Sequence, residues 1–166
     1  EVEEYCEEKK PIVISVNLLS PDYPIHYAYF SNKKRYNYWK NSSRFDNYKK
    51  IVTSNIIKEA SKNETIIDFT KLVKSGWKQL DNSGILLLRL LDQLHVASIA
   101  IAGFDGYSHD STHQNYAQKE FEKQRDFNAI DESNRSVASM LEDYKNNRFS
   151  DCPIIFITPS RFANIF

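Results

Sequence analysis

Residues 82–106, which read NSGILLLRLLDQLHVASIAIAGFDG, decide the fold of this chain. Ser83 or Asn82 is a suitable helix N-cap, because a short polar side chain can accept a hydrogen bond from a free backbone N–H. The leucines and isoleucine that follow wrap more than one helical face, which predicts a well-buried helix. The apolar run Val96–Ala102 then predicts a strand. A buried helix leading directly into an apolar strand is typical of an α/β domain.

Five further segments show the same strand character. They are short and rich in β-branched or aromatic residues, and their nearly continuous apolar character favours burial on both faces of a parallel sheet. These predicted strands are Ile12–Val16, Tyr27–Phe30, Ile51–Thr53, Thr65–Phe69 and Pro153–Thr158. Further helices are predicted over Ile56–Ser61 and Asp131–Asn146. We therefore expect an α/β fold with an open, mostly parallel Rossmann-like sheet of about six strands and helices on both faces.

The connection between the first two strands does not fit this scheme easily. Only Leu18–His26 separates them, whereas a parallel crossover usually needs a dozen or more residues. Either this connection is compressed or one strand pair is antiparallel.

Composition limits the functional classes. The 166 residues suit one domain, and 22 basic residues balance 22 acidic residues, so the basic excess of a nucleic-acid-binding surface is missing. No apolar run approaches the ~20 residues of a membrane helix. Cys6 and Cys152 show neither metal-site nor disulfide spacing, and free thiols are typical of a reducing compartment. We therefore expect a cytoplasmic domain that has neither nucleic acid nor a membrane as its partner.

Small polar residues follow each predicted strand. In open α/β sheets a ligand lies outside the carboxyl ends of the strands, where Asn and Ser side chains suit sugar hydroxyls, a ribose or a base edge. The same residue types also form turns and cap helices without any ligand. We predict a ligand crevice and take as its candidate residues Asn17, Ser31, Asn32, Ser54, Asn55, Ser83, Gly84, Gly103, Asp105 and His113.

Two parts of this crevice suggest more specific chemistry. The helix start at Ser83-Gly84 presents free N–H groups, and the glycine allows an anion to approach closely. The segment GFDGYSHDSTH at residues 103–113 contains groups that could act as acids, bases or metal ligands, namely Asp105, His109, Asp110 and His113. No metal-binding motif is present, so we assign no metal ligand, no catalytic residue and no cofactor.

Residues 83–107 resemble a block of bacterial sialyltransferase-like and motility-accessory glycosyltransferase-like domains. The strings SGILLLRLL at residues 83–91 and VASIAIAGFD at residues 96–105 carry the resemblance. It implies a Rossmann-like sheet and a nucleotide sugar as ligand, which would face Ser83, Gly84, Gly103 and Asp105. The sialyltransferases use a late histidine as general base, whereas the last histidine here is His113.

A broader resemblance runs from Pro11 to Phe162. The strings PIVISVN, YFSNKKRY, IVTSN and GFDGY are similar to the region after the barrel in bacterial aldolase-like proteins of the HMG-CoA-lyase-like superfamily, often labelled 4-hydroxy-2-oxovalerate aldolase-like. The resemblance implies a C-terminal domain of a longer lyase, with the N-terminal barrel as its partner. The start at Glu1 agrees with that expectation. A barrel of ~250 residues, which would carry the lyase chemistry, does not fit in this chain.

Three functions remain open. The first is an accessory domain that recognises a sugar, a nucleotide or a related polar metabolite. The second is a glycosyltransferase-like enzyme, which needs a general base from among Asp68, Asp105, His109, Asp110 and His113. The third is a structural or oligomerisation domain, which predicts an exposed apolar patch and no ligand pocket. Convergence of the candidate residues on one pocket would favour the first.

Overall fold

The computed structural model describes residues 1–20, 24–110, 119–121 and 126–166, so the candidate residue His113 lies outside the described ranges. The helices are α1 (Val2–Lys9), α2 (Lys33–Lys40), α3 (Ser83–Gln93) and α4 (Phe127–Asn147). The strands are β1 (Ile14–Val16), β2 (Tyr27–Phe30), β3 (Lys49–Thr53), β4 (Glu64–Ile67), β5 (Ile99–Ile101) and β6 (Ile154–Phe156). No helix in these ranges is long and apolar enough to cross a membrane.

All six strands have parallel neighbours. The first four form one sheet in the order β1-β2-β3-β4, while β5 and β6 form a second sheet of two strands. The predicted α/β class and the parallel pairing are therefore confirmed. The single Rossmann-like sheet of about six strands is not confirmed, because no ladder of hydrogen bonds joins the two sheets within the described residues.

The short connection between β1 and β2 is compressed, and the two strands are parallel. Strands of three and four residues span only about 10–13 Å at ~3.3 Å per residue, so a chain of ten residues can return without a helix. Asn17 begins this return in the left-handed backbone region, with φ of 57°. At the other end, the His26 N–H donates to the Val13 carbonyl (3.0 Å) and starts the next strand.

Of the two further helices that the sequence predicts, one is confirmed and the other is wrong. The helix predicted over Asp131–Asn146 is confirmed and begins four residues earlier, because the Asp126 side chain accepts a hydrogen bond from the Ala129 N–H (2.7 Å). The helix predicted over Ile56–Ser61 is wrong, since this segment is irregular after a turn that ends at Ile56. Its two isoleucines pack on the core without a helix, and so short a segment cannot repay helix nucleation.

The core has three parts, and α3 contributes to two of them. Leu86, Leu87 and Leu90 pack with Tyr29 against one face of the four-stranded sheet. Other residues of α3, among them Ile85, pack with α4 and the two-stranded sheet. The third part lies on the opposite face of the four-stranded sheet, where α2 packs. Helices therefore lie on both faces of the larger sheet, as the sequence predicts.

Candidate functional site

The start of α3 meets the carboxyl end of β2. Asn82 is the N-cap, and its Oδ1 accepts a hydrogen bond from the Gly84 N–H (2.7 Å). The neighbouring Ser83 is therefore not needed as a cap, and its hydroxyl makes a hydrogen bond of 2.7 Å to the hydroxyl of Ser31. Two of the predicted site residues, 52 positions apart in the chain, are thus in direct contact.

The same helix start also meets the loop that follows β5. A Cβ atom built on Gly84 would lie 2.6 Å from Cε2 of Phe104, so any larger residue would push the ring aside. The carboxyl ends of the two sheets therefore meet at the first turn of α3. We call this place the α3 junction and define it by Ser31, Ser83, Gly84 and Phe104.

A buried tyrosine lies beside the α3 junction. The side chain of Tyr29 is fully buried, and its hydroxyl has no hydrogen-bond partner in the described part of the chain. Burial raises the pKa of Tyr29, and Ser31, Asp81 and Arg89 are close enough to influence it as well. The hydroxyl is therefore protonated, and it can both donate and accept a hydrogen bond.

An ion pair supports the segment that enters α3. The Arg89 guanidinium donates to the Asp81 carboxylate and, over 2.8 Å, to the Leu72 carbonyl. Both charged side chains are nearly fully buried. The pair ties the connection between β4 and α3 to the helix itself, and so it fixes the position of the first turn of α3.

Asn17 is the candidate residue with an unused acceptor. Its N–H donates to the Tyr29 carbonyl (2.8 Å), and its carbonyl accepts from the Trp39 indole (3.3 Å). The side-chain Oδ1 is buried and has no partner among the described residues. Asparagine tolerates the left-handed backbone at this position better than most residues, so part of its role is conformational.

Three other candidates stabilise helix starts and loops, which is the alternative role that Asn and Ser have when no ligand is bound. Asn32 caps α2 by accepting from the Arg35 N–H (3.1 Å), and the Ser54 hydroxyl accepts from the Phe69 N–H (3.0 Å). Asn55 accepts from the hydroxyl of Thr53 (2.6 Å). Its Nδ2 also donates weakly to the Ser31 carbonyl (3.4 Å), so it supports the end of β2 from outside the α3 junction.

Gly103 and Asp105 lie in a loop held by the segment after β6. Gly103 has φ of 66°, and its N–H donates to the Thr158 hydroxyl (2.9 Å). The Asp105 carbonyl accepts from Nε of Arg161 (3.1 Å), while its carboxylate faces solvent. The structure therefore positions Asp105 through its backbone and leaves its carboxylate open to a ligand.

The rest of this loop is attached to α4. Gly106 has φ of 85°, and a Cβ there would lie 2.7 Å from Arg161 and 2.9 Å from Asn134. The buried Asn134 side chain accepts from the Tyr107 N–H (2.8 Å) and donates to the Tyr107 carbonyl (2.9 Å). Further along, Nε2 of His109 lies 2.7 Å from Asp131 of α4.

Sequence reasoning missed Tyr29, Phe104, Asn134 and Arg161. One signal was available for Tyr29, because residues two apart on a strand point to the same face and Ser31 was already a candidate. The other three act through contacts between remote segments, which no local pattern encodes. No group of three or more His, Cys, Asp or Glu residues in the described ranges could hold a metal ion.

Comparison of the chain with protein-family models, with curated proteins and with solved structures gave no match in any of the three.

Proposed function

We propose that this domain binds a small polar metabolite, such as a sugar, a nucleotide or a nucleotide sugar, at the α3 junction. The observation that carries the proposal is the Ser31–Ser83 hydroxyl pair, with the buried hydroxyl of Tyr29 close to Ser31 and without a well-formed hydrogen bond among the described residues. Buried polar groups nearly always have a hydrogen-bond partner, which is water or a ligand when the protein supplies none. Three hydroxyl groups at one place suit a ligand that offers both donors and acceptors.

The first turn of α3 suits an anionic part of such a ligand. The Asn82 side chain accepts from the Gly84 N–H, whereas the Ser83 N–H donates no hydrogen bond within the described part of the chain. A helix start also carries a partial positive charge from the aligned peptide dipoles. The Phe104 ring and the Asn82 side chain cover Gly84, so a phosphate oxygen would bind at the Ser83 N–H. Ser31, Ser83 and Asn17 would then be left for ribose or sugar hydroxyls.

We further propose that β1 and β5 are neighbours, which gives the strand order β4-β3-β2-β1-β5-β6. The support comes from handedness. α2 connects β2 to β3 on one face of the four-stranded sheet, and α3 leaves β4 on the other face. Right-handed crossovers on opposite faces run in opposite directions, so the chain returns through α3 past β1. The α3 junction would then lie at a topological switch point, the usual ligand site of such sheets.

The ligand proposal is tested by thermal unfolding with nucleotides, nucleotide sugars and sugar phosphates. A ligand at 100 times its dissociation constant adds about 2.7 kcal/mol of stability, which shifts the melting midpoint by several degrees. Ser83→Ala should reduce the shift because it removes one hydroxyl of the pair. The matched control is Ser139→Ala, an exposed serine of α4. Equal shifts in both variants, or no shift with any compound, would contradict the proposal.

A glycosyltransferase-like enzyme is the second candidate, and one observation favours it. The His109 imidazole is held by Asp131 (2.7 Å) and stacks on Phe127 with ring centroids 4.8 Å apart, so it has the fixed orientation that a general base needs. Asp68 is less suitable, because hydrogen bonds from Thr70 lower its pKa. Turnover of a nucleotide sugar that His109→Gln abolishes would favour the enzyme over the binding domain.

The association with an aldolase-like barrel rests on the sequence resemblance alone. We propose that the domain is an accessory unit of a lyase and presents its metabolite beside the barrel. The chain by itself should then show no aldol cleavage of 4-hydroxy-2-oxo acids. Measured cleavage by the purified 166-residue chain would contradict this assignment.

A further inference from the structure

A groove lies at the opposite end of the four-stranded sheet from the α3 junction. Its volume is about 380 Å3, which is within the range of small-molecule sites. It is lined by residues that precede or begin β1, β2 and β3, namely Ile12, Ile25, His26, Tyr27, Asn47, Tyr48 and Lys49. Because these are the amino ends of parallel strands, the groove is separate from the carboxyl-end site proposed above.

The polar lining of the groove favours an anion. Lys49 is exposed, and its Nζ lies 5.8 Å from the centroid of the Tyr27 ring. Nδ1 of His26 accepts a hydrogen bond from the Val13 N–H (3.0 Å), so Nε2 carries the hydrogen of the neutral ring and is a donor. Asn47 adds an amide. Among the described residues that line the groove, Lys49 carries a charge and none carries a carboxylate.

The apolar lining favours a ligand with an aromatic or aliphatic body. Ile12 leaves 71% of its surface exposed at the rim, so its side chain is accessible to a ligand. Tyr27 and Tyr48 are half-buried and form rigid walls. The Tyr48 hydroxyl is fixed by a hydrogen bond to the Ser20 carbonyl (3.2 Å), so its ring cannot close the groove.

We propose that this groove binds a small organic anion, in which a carboxylate or phosphate contacts Lys49 and His26 and an aromatic or aliphatic body lies against Tyr48 and Ile12. The anion and the apolar body are both required, because a single exposed lysine binds a simple anion only weakly in water. The site does not depend on the proposed function of the α3 junction.

Titration of the 15N-labelled chain with phenyl phosphate, followed by NMR, tests this proposal. We expect amide shifts concentrated at His26, Tyr27 and Lys49. Phenol supplies only the aromatic body, and inorganic phosphate supplies only the anion. Each should therefore bind at least about tenfold more weakly than phenyl phosphate. Lys49→Gln should lower the affinity for phenyl phosphate by about tenfold. The control is Lys58→Gln, which changes an exposed lysine beyond the carboxyl end of β3 and should leave the affinity unchanged.

A second variant avoids any dependence on Lys49. Ile12→Glu places a negative charge at an exposed rim position, so it should lower the affinity for the anion without affecting folding. The proposal is overturned if inorganic phosphate alone gives the same shifts, or if neither variant changes the affinity. It is also overturned if phenyl phosphate shifts only Ser31 and Ser83, a result that would support the α3 junction as the anion site.

Discussion

Asp92 is a buried carboxylate that joins the end of α3 to the end of α4. It accepts hydrogen bonds from the Phe149 N–H (2.7 Å), the Ser150 N–H (2.9 Å) and the Ser150 hydroxyl (2.6 Å). Burial by itself would raise the pKa of Asp92, but these hydrogen bonds outweigh it, and the pKa is lowered. The charged form is therefore the one that stabilises the fold.

Asp92→Asn should destabilise the domain by about 2–3 kcal/mol at pH 7, because an amide NH2 would face backbone donors. The pKa of Asp92 is lower in the folded chain than the unfolded value of about 3.9. Its contribution is therefore complete above about pH 5 and is lost as pH falls through the folded pKa. Urea unfolding of both proteins at pH 7 and at about pH 3 should show the difference between them shrinking.

The exposed neighbour Asp151 provides the matched control. Asp151→Asn should change the free energy of unfolding by less than about 0.5 kcal/mol at either pH. A constant difference between wild type and Asp92→Asn across this pH range would refute the role assigned to the charge.

At the scale of elements, the cap of α3 has consequences for both stability and the site. Asn82→Ala removes the acceptor for the Gly84 N–H and should cost about 1 kcal/mol of unfolding free energy. Asn82→Asp keeps an acceptor oxygen and should retain most of the stability. Asn146→Ala, at an exposed position in the last turn of α4, is the control and should have little effect. Thermal unfolding measures all three, and equal melting of Asn82→Ala and Asn146→Ala would contradict the capping role.

Local sequence predicts some of the helices and strands correctly, but not the contacts between remote segments. The bounds predicted for β2 agree with the structure, and the start of α3 falls at the predicted cap, because aromatic strand composition and helix capping both depend on neighbouring residues. The irregular segment at 56–61 was predicted as a helix because two adjacent isoleucines fit either a helix or an irregular segment that packs on the core. The Ser31–Ser83 pair was expected only as convergence at one edge, since a contact across 52 residues leaves no local pattern.

At the scale of the whole molecule, the proposed neighbouring of β1 and β5 can be measured. The Asn17 N–H donates to the Tyr29 carbonyl, so the backbone N–H and C=O groups of the odd-numbered residues in β1 point towards β2. Those of Ile14 and Val16 point towards the opposite edge of β1. The Ile99 N–H donates to the Pro153 carbonyl. By the same reasoning, the backbone N–H of Ala100 points towards the edge of β5 away from β6. Slow amide hydrogen exchange at Val16 and Ala100, comparable to that of Ile99, is expected if the six strands form one sheet. Fast exchange at both would mean that the two sheets stay separate.

α3 contributes to the cores of both sheets. Leu91 packs against both the core under the four-stranded sheet and the core of the two-stranded sheet. A pair of short strands is not stable in water without such a helix, and the larger sheet loses the cover of one face without it. The two halves should therefore melt in a single cooperative transition. A protease cut between β4 and α3 would leave neither fragment with a complete interior, so neither fragment should stay folded by itself.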